Sequence, residues 1–230
     1  MCGRYTLTDP DPGALALRFD LQAEAIPQQR PRFNISPTSE ILAVRRAPDA
    51  SGKTPMREPG LLRWGLIPAF ADPESFDRLL INARSETVAT KPVFRDSFAH
   101  ERCLIPADGF YEWQRTDTGK RPHFFSLPDR ALFAFAGISA RSEGGGGVVV
   151  NSCALLTCEP SPQVAPIHKR MPVILQPEGE DAWLDPTSPL DEVIGLMGPL
   201  PGLEVRAVSE AVNPSRNEGP ELLEGPMNLF

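Results

Sequence analysis

Residues 123–158, HFFSLPDRALFAFAGISARSEGGGGVVVNSCALLTC, decide the fold class of this 230-residue chain. HFFSL, ALFAFAGIS and VVVNSCALLTC read as short strands separated by turns, with the glycines at 144–147 as one flexible connection. Working outward, RCLIPADGFYEW (102–113) alternates strand-like and turn-like character, and LLRWGLIP (61–68) is again apolar. FNISPTSE is a Pro-bearing loop leading into a strand, ILAVRR (41–46), and PVILQ (172–176) is another strand. Residues 48–60, PDASGKTPMREPG, form a polar hairpin-like excursion. Helices are few: GALALRF (13–19) after the turn-forming DPDP, a stretch from Ser85 onward, and the short DAWL (181–184). The 26 prolines are spread along the chain, and nothing marks a repeat or a domain boundary. The expectation is one α+β domain over residues 1–230, largely antiparallel, with a twisted, barrel-like sheet and short peripheral helices.

Composition narrows the function classes. Hydrophobic content of 41% and charged content of 23% are ordinary for a globular protein. No stretch approaches the roughly 18 consecutive apolar residues of a membrane span. MCGRYTLTDP lacks a basic leader followed by an apolar run, so a cytoplasmic location is expected. Four cysteines are then expected to stay reduced. No C-x2-C pair is present, which argues against a metal site, and Cys103 and Cys153 read as small core residues on strands. The net charge of −7 argues at first against nucleic acid. Residues 1–170, however, carry 21 Lys and Arg against 19 Asp and Glu, whereas residues 171–230 carry 2 against 11. A local basic groove in the first part is compatible with this balance; a broad basic footprint is not.

Four places carry unusual chemistry. If Met1 is removed, Cys2 presents a thiol and an α-amine on adjacent carbons. That amine, with a pKa of about 7.7–8.0, is partly neutral and nucleophilic near pH 7. After the amine condenses with an aldehyde, the thiol can close a five-membered thiazolidine ring. The plainer alternative is an incidental Cys at a frayed terminus; Gly3 and Arg4, a flexible residue and a cation, favour a site that meets an anion. In INARSET (81–87), Asn82 offers donor and acceptor, and Arg84 a fork matched to phosphate; alternatively this is only a helix entry with a solvated arginine. In ADGFYEW (107–113), Glu112 sits between aromatics after a turn, where burial would raise its pKa and suit it to proton transfer. An outward-facing strand Glu is the alternative. In PIHKRMP (166–172), His168 could act as acid or base with Lys169 and Arg170 facing phosphates, or simply occupy an exposed charged turn.

Together, and in this order, these segments resemble the SRAP (SOS-response-associated peptidase) family. The resemblance runs through MCGRYTL, RFNISPT, LRWGLIPAF, INARSET, RCLIPADGFYEW, IHKRMPVIL and VNPSRNEGPELL, nearly the whole chain. It implies the α+β fold with a barrel-like antiparallel core, no cofactor, and a covalent shield of abasic sites in single-stranded DNA. By that resemblance Cys2 forms the thiazolidine with the C1′ aldehyde of the ring-opened sugar. Glu112 handles the proton of the α-amine, and His168 assists sugar opening and proton transfer. Asn82 holds the terminal Cys and the sugar. Arg84 and Arg170, with Arg4 as a weaker candidate, bind flanking phosphates. The Pro37 loop and the WGLIPAF segment, with Trp64 and Phe70, line the DNA cleft. The family often carries Trp where this chain has Phe70, which can still stack on a base but with less area. A monomer working without membrane or small-molecule cofactor is expected. Two other readings stay open: an N-terminal-thiol peptidase activated by its own amine or His168, and a non-catalytic module that reads a modified base.

Overall fold

The structure, a computed structural model, describes residues 2–47, 56–117 and 119–226. Among them the strands follow as β1 (Tyr5–Leu7), β2 (Arg32–Ile35), β3 (Glu40–Arg46), β4 (Arg57–Trp64), β5 (Asn82–Arg84), β6 (Arg102–Ala107) and β7 (Gly109–Thr116). They continue as β8 (Gly119–Ser126), β9 (Phe133–Glu143), β10 (Val149–Cys158), β11 (Met171–Pro172), β12 (Ile174–Leu175) and β13 (Glu204–Ala207). The helices are short: α1 (Pro12–Phe19), α2 (Arg95–His100), α3 (Glu180–Leu184) and α4 (Leu190–Gly195).

Five strands close into a ring in the order β10-β4-β3-β6-β9, with β9 pairing back onto β10. All of its pairings are antiparallel except β4 with β10. From Ser152 to Cys158, β10 is buried continuously, because it faces the ring interior on one side and covering segments on the other. The stretch quoted at the start of the sequence thus supplies β8, β9 and β10, and the α+β, barrel-like expectation agrees with this architecture. Ring closure needs close backbone approach: a Cβ on Gly137 would lie 2.8 Å from Cys103 Sγ.

A second sheet, ordered β13-β8-β7-β1-β2, packs against the ring. Only Asp108 separates β6 of the ring from β7 of this sheet, so the two are rigidly coupled. Aromatics join them: Tyr5 lies edge-on to Trp64 (5.5 Å) and Phe135 (5.6 Å), and Phe110 lies edge-on to Phe135 at 6.1 Å. Gly109 admits the Phe124 ring, which a Cβ there would meet at 2.1 Å.

Three local expectations change. The stretch from Ser85 is a series of turns, and a helix begins only at Arg95. Thr87, Val88 and Thr90 restrict χ1, and Pro92 has no N–H to continue a helix. PVILQ is split into β11 and β12, because Val173 N donates to Leu156 of β10 while its carbonyl accepts from Ala136 of β9. Of the polar excursion, residues 48–55 lie outside the described residues. Its later part already belongs to β4, and the Ala47 N to Met56 O bond (2.7 Å) closes the strand pair.

Candidate functional site

The first strand carries the site. β1 lies between β2 and β7, with Tyr5 opposite both Ile35 and Phe110. Asp108, 3% exposed, anchors it: Thr6 Oγ1 (2.5 Å), Thr8 N (2.9 Å) and the Thr8 hydroxyl donate to its carboxylate, which also meets Arg130 at 3.0 Å. Tyr111 N then donates to Arg4 O (3.0 Å), bringing the next residue, Glu112, beside the chain start. On β7, Phe110 and Glu112 share a face by strand alternation. Phe110 points into the aromatic core, so Glu112 is drawn inward with it and is 3% exposed.

β5 runs parallel to β10, with Asn82 opposite Leu155 and Arg84 opposite Thr157. Ala83 is buried against the ring, which turns Asn82 and Arg84 to the other side. Asn82 Nδ2 donates to Cys2 O at 2.8 Å. His168 closes a turn through its N–H to Val164 O (2.9 Å), and its Nδ1 lies 3.6 Å from Glu112 Oε1 and 2.9 Å from Arg170 O. Cys2, Asn82, Glu112 and His168, from four separate stretches of sequence, therefore meet.

Burial pushes the Glu112 carboxyl above its ordinary range, with the nearby His168 pulling the other way. Burial also pushes the fully buried Cys2 thiol well above its ordinary value, and the Glu112 charge adds to the effect. The arrangement thus favours a carboxyl that holds its proton more readily than an ordinary glutamate and a thiol kept protonated. A cleft of about 490 Å³ opens over the group, lined by Gly3, Arg4, Glu112, Trp113 and His168 and reaching Arg115 and Lys120. Among the described residues no cluster of three or more His, Cys, Asp or Glu comes together to hold a metal. The four cysteines are free and buried.

The remaining sequence candidates fall in different places. Arg4 lines the cleft but is engaged: its guanidinium donates to Asn34 Oδ1 (2.8 Å), Val212 O (3.1 Å) and Asn213 O (3.2 Å). Arg84 is exposed. Arg170 donates to both carboxylate oxygens of Glu86 and to Thr157 O. Pro37 is half-buried in a turn pinned by Thr38 N to Trp64 O (2.8 Å). Phe70, 69% exposed, lines a separate hollow with Pro92 and His100. Trp64 corrects the sequence expectation: it is fully buried and offers DNA no surface. Its Nε1 donates to Ile81 O (2.9 Å), so it braces the residue before Asn82. Asp108, Trp113, Arg115, Lys120 and Asn213 were missed. Only strand alternation in WQRTDTGKRPH, placing cations near the hairpin end, could have pointed to Arg115 and Lys120.

Comparison with known proteins identifies the family. Residues 1–215 match the family described as SOS response associated peptidase (SRAP). The chain is 39% identical, across the full length of both proteins, to the abasic site processing protein YoaM of Bacillus subtilis. It is 31% identical to the abasic site processing protein HMCES of Xenopus tropicalis, over 84% of this chain and 66% of that protein. A crystal structure of a protein from Bordetella bronchiseptica superposes with a TM-score of 0.74 at 28% identity, covering 90% of this chain and all of the other. One from Bacteroides thetaiotaomicron shares the fold, with a TM-score of 0.82 at 22% identity over 98% and 100% of the two chains. With a family match over almost its whole length, the chain belongs to the SRAP family.

Proposed function

We propose that this protein captures abasic sites in single-stranded DNA as a covalent adduct of Cys2. The observation that carries the reading is the convergence on residue 2: Asn82 holds its carbonyl, and Glu112 and His168 stand together beside it under one cleft. Relatives named abasic site processing proteins, one of them matching from end to end, point to the same substrate. An extrahelical, ring-opened sugar is needed to enter the cleft, which favours an unpaired strand. One copy of the chain supplies all four residues.

Hydrolytic removal of Met1 makes the Cys2 α-amine the chain end. The neutral amine adds to the C1′ aldehyde, and loss of one water leaves an imine. The Cys2 thiol then adds its sulfur across the C=N bond at C1′, its proton passing to nitrogen, which closes the thiazolidine. Glu112 is suited to accept and return the amine proton, and His168 to relay protons to the sugar oxygen. The imine also acidifies C2′, so β-elimination with strand cleavage is a competing outcome that ring closure suppresses. The raised thiol favours this amine-first order over a thiolate-first peptidase, because the thiolate is the nucleophile in the latter.

The test mixes purified protein lacking Met1 with single-stranded DNA bearing one abasic site, followed by denaturing electrophoresis and intact mass measurement. The expected product has the mass of protein plus DNA minus one water, disappears in Cys2→Ala, and is absent with undamaged DNA. No adduct from protein verified to lack Met1 overturns the reading.

A further inference from the structure

The cleft does not end at the reacting group. It continues to the β7–β8 hairpin, where Arg115 and Lys120 both line it. These two cations are direct cross-strand partners, Arg115 opposite Lys120. Like charges opposed on neighbouring strands destabilise a pair, so folding alone gives no reason for the arrangement. Among the described residues neither forms an ion pair, although Asp117 sits at the turn between them. By contrast Arg4 and Arg170, two of the three arginines named from sequence, are already engaged by Asn34 and Glu86, while the third, Arg84, is exposed on β5. The hairpin is also fixed relative to the chemistry: Gln114 Nε2 donates to Pro166 O (3.3 Å), tying it to the turn that carries His168.

We propose that Arg115 and Lys120 together grip a backbone phosphate of the nucleic-acid strand beside the reacting nucleotide, making the β7–β8 hairpin a phosphate-binding edge of the cleft. The inference rests on the functional reading above for the identity of the strand. An anion seated between the two cations relieves their mutual repulsion. The hairpin then sets where the neighbouring nucleotide lies relative to Glu112 and His168. Both residues act in binding and touch none of the reacting atoms.

The test compares the parent protein with Arg115→Gln/Lys120→Gln and the charge-preserving Arg115→Lys/Lys120→Arg. Binding of undamaged single-stranded DNA is measured by fluorescence anisotropy across a salt series, and adduct formation with abasic DNA at saturating concentration. Releasing the one phosphate that the two cations neutralise on a single strand should flatten the log Kd against log salt slope by about 0.7. The charge-preserving variant should retain the parent slope. An unchanged slope in the glutamine variant, with the parent forming adduct normally, overturns the hairpin assignment and leaves the functional reading standing. A flattened slope with no adduct from the parent supports the hairpin assignment and overturns the functional one. A parent that binds no single-stranded DNA overturns both.

Discussion

Glu86 grips Arg170 through both carboxylate oxygens, Nη2 to Oε2 at 2.9 Å, with Nη1 on the other oxygen. The arginine read from sequence as a phosphate ligand is therefore already satisfied by a carboxylate of a different motif, INARSET. A phosphate can reach it only by displacing Glu86, whose side chain is 52% exposed and free to swing away. We expect Glu86→Gln to bind single-stranded DNA more tightly at low salt, by roughly one- to five-fold, the range of an exposed ion pair. Titration by anisotropy measures it. The Arg170 bond holds the Glu86 carboxyl below its ordinary range, so the pair persists above the usual carboxylate pKa and is lost as pH falls through the depressed value. The gain in the variant should accordingly shrink in acid. Weaker binding would instead make Glu86 a support that aims Arg170.

Asn82 to Cys2 is the contact that positions the nucleophile, and its loss should appear in rate and not in affinity. One hydrogen bond to a carbonyl contributes about 0.5–1.5 kcal/mol, or roughly two- to ten-fold in rate. Asn82→Ala is expected to slow adduct formation by that factor at saturating DNA while the Kd for undamaged DNA stays put. Single-turnover gel kinetics beside anisotropy separate the two, and a weakened Kd with unchanged rate would contradict the positioning role.

Glu112 should cost the fold stability in exchange for its chemistry. Its carboxyl is raised, so the folded chain favours the protonated form; stability is fullest below the ordinary carboxylate pKa and declines as pH rises through the raised value. Glu112→Gln removes that loss. We expect its Tm to exceed the parent's by roughly 2–4 °C at pH 8, the shift that about 1 kcal/mol produces at this size, and to match it at pH 4. Adduct formation should slow at both. Thermal denaturation at the two pH values decides, and a variant less stable at pH 8 would show that the charged carboxylate holds the site together.

Much of this was legible in the chain because it depends on local pattern. Alternation and turns in residues 123–158 announced β8, β9 and β10. The oddity of a Glu between Tyr111 and Trp113 marked the buried carboxylate. Long-range pairing was not legible. Nothing local says that β4 and β10, some ninety residues apart, run parallel and close the ring. Trp64 failed as a DNA contact for a related reason. A tryptophan within an apolar strand is equally suited to core and to stacking, and only the position of Ile81 O shows which it serves. Arg170 read as free because its partner, Glu86, lies 84 residues away. The turns after Ser85 were misread because Ser-Glu resembles a helix start, while the β-branched run and Pro92 that prevent it come later.

Asp108 should be the residue on which the chain start most depends. It is almost fully buried and receives Thr6, Thr8 and Arg130, so truncation leaves several polar groups without their acceptor. Breaking a buried charge-assisted cluster costs about 3–5 kcal/mol; Arg130 is 36% exposed and can turn to water, which lowers the expectation to about 2–4 kcal/mol. For a chain of this size that is a Tm decrease of roughly 4–16 °C in Asp108→Ala. The loosened β1 would carry Cys2 away from Asn82, so adduct formation should fall more than binding of undamaged DNA does. Thr8→Val, which deletes one hydroxyl donor and keeps the backbone bond to Asp108, should show a smaller decrease in both. If Asp108→Ala melts with the parent and forms adduct at the parent rate, β1 is held by its strand pairing alone and the carboxylate is dispensable.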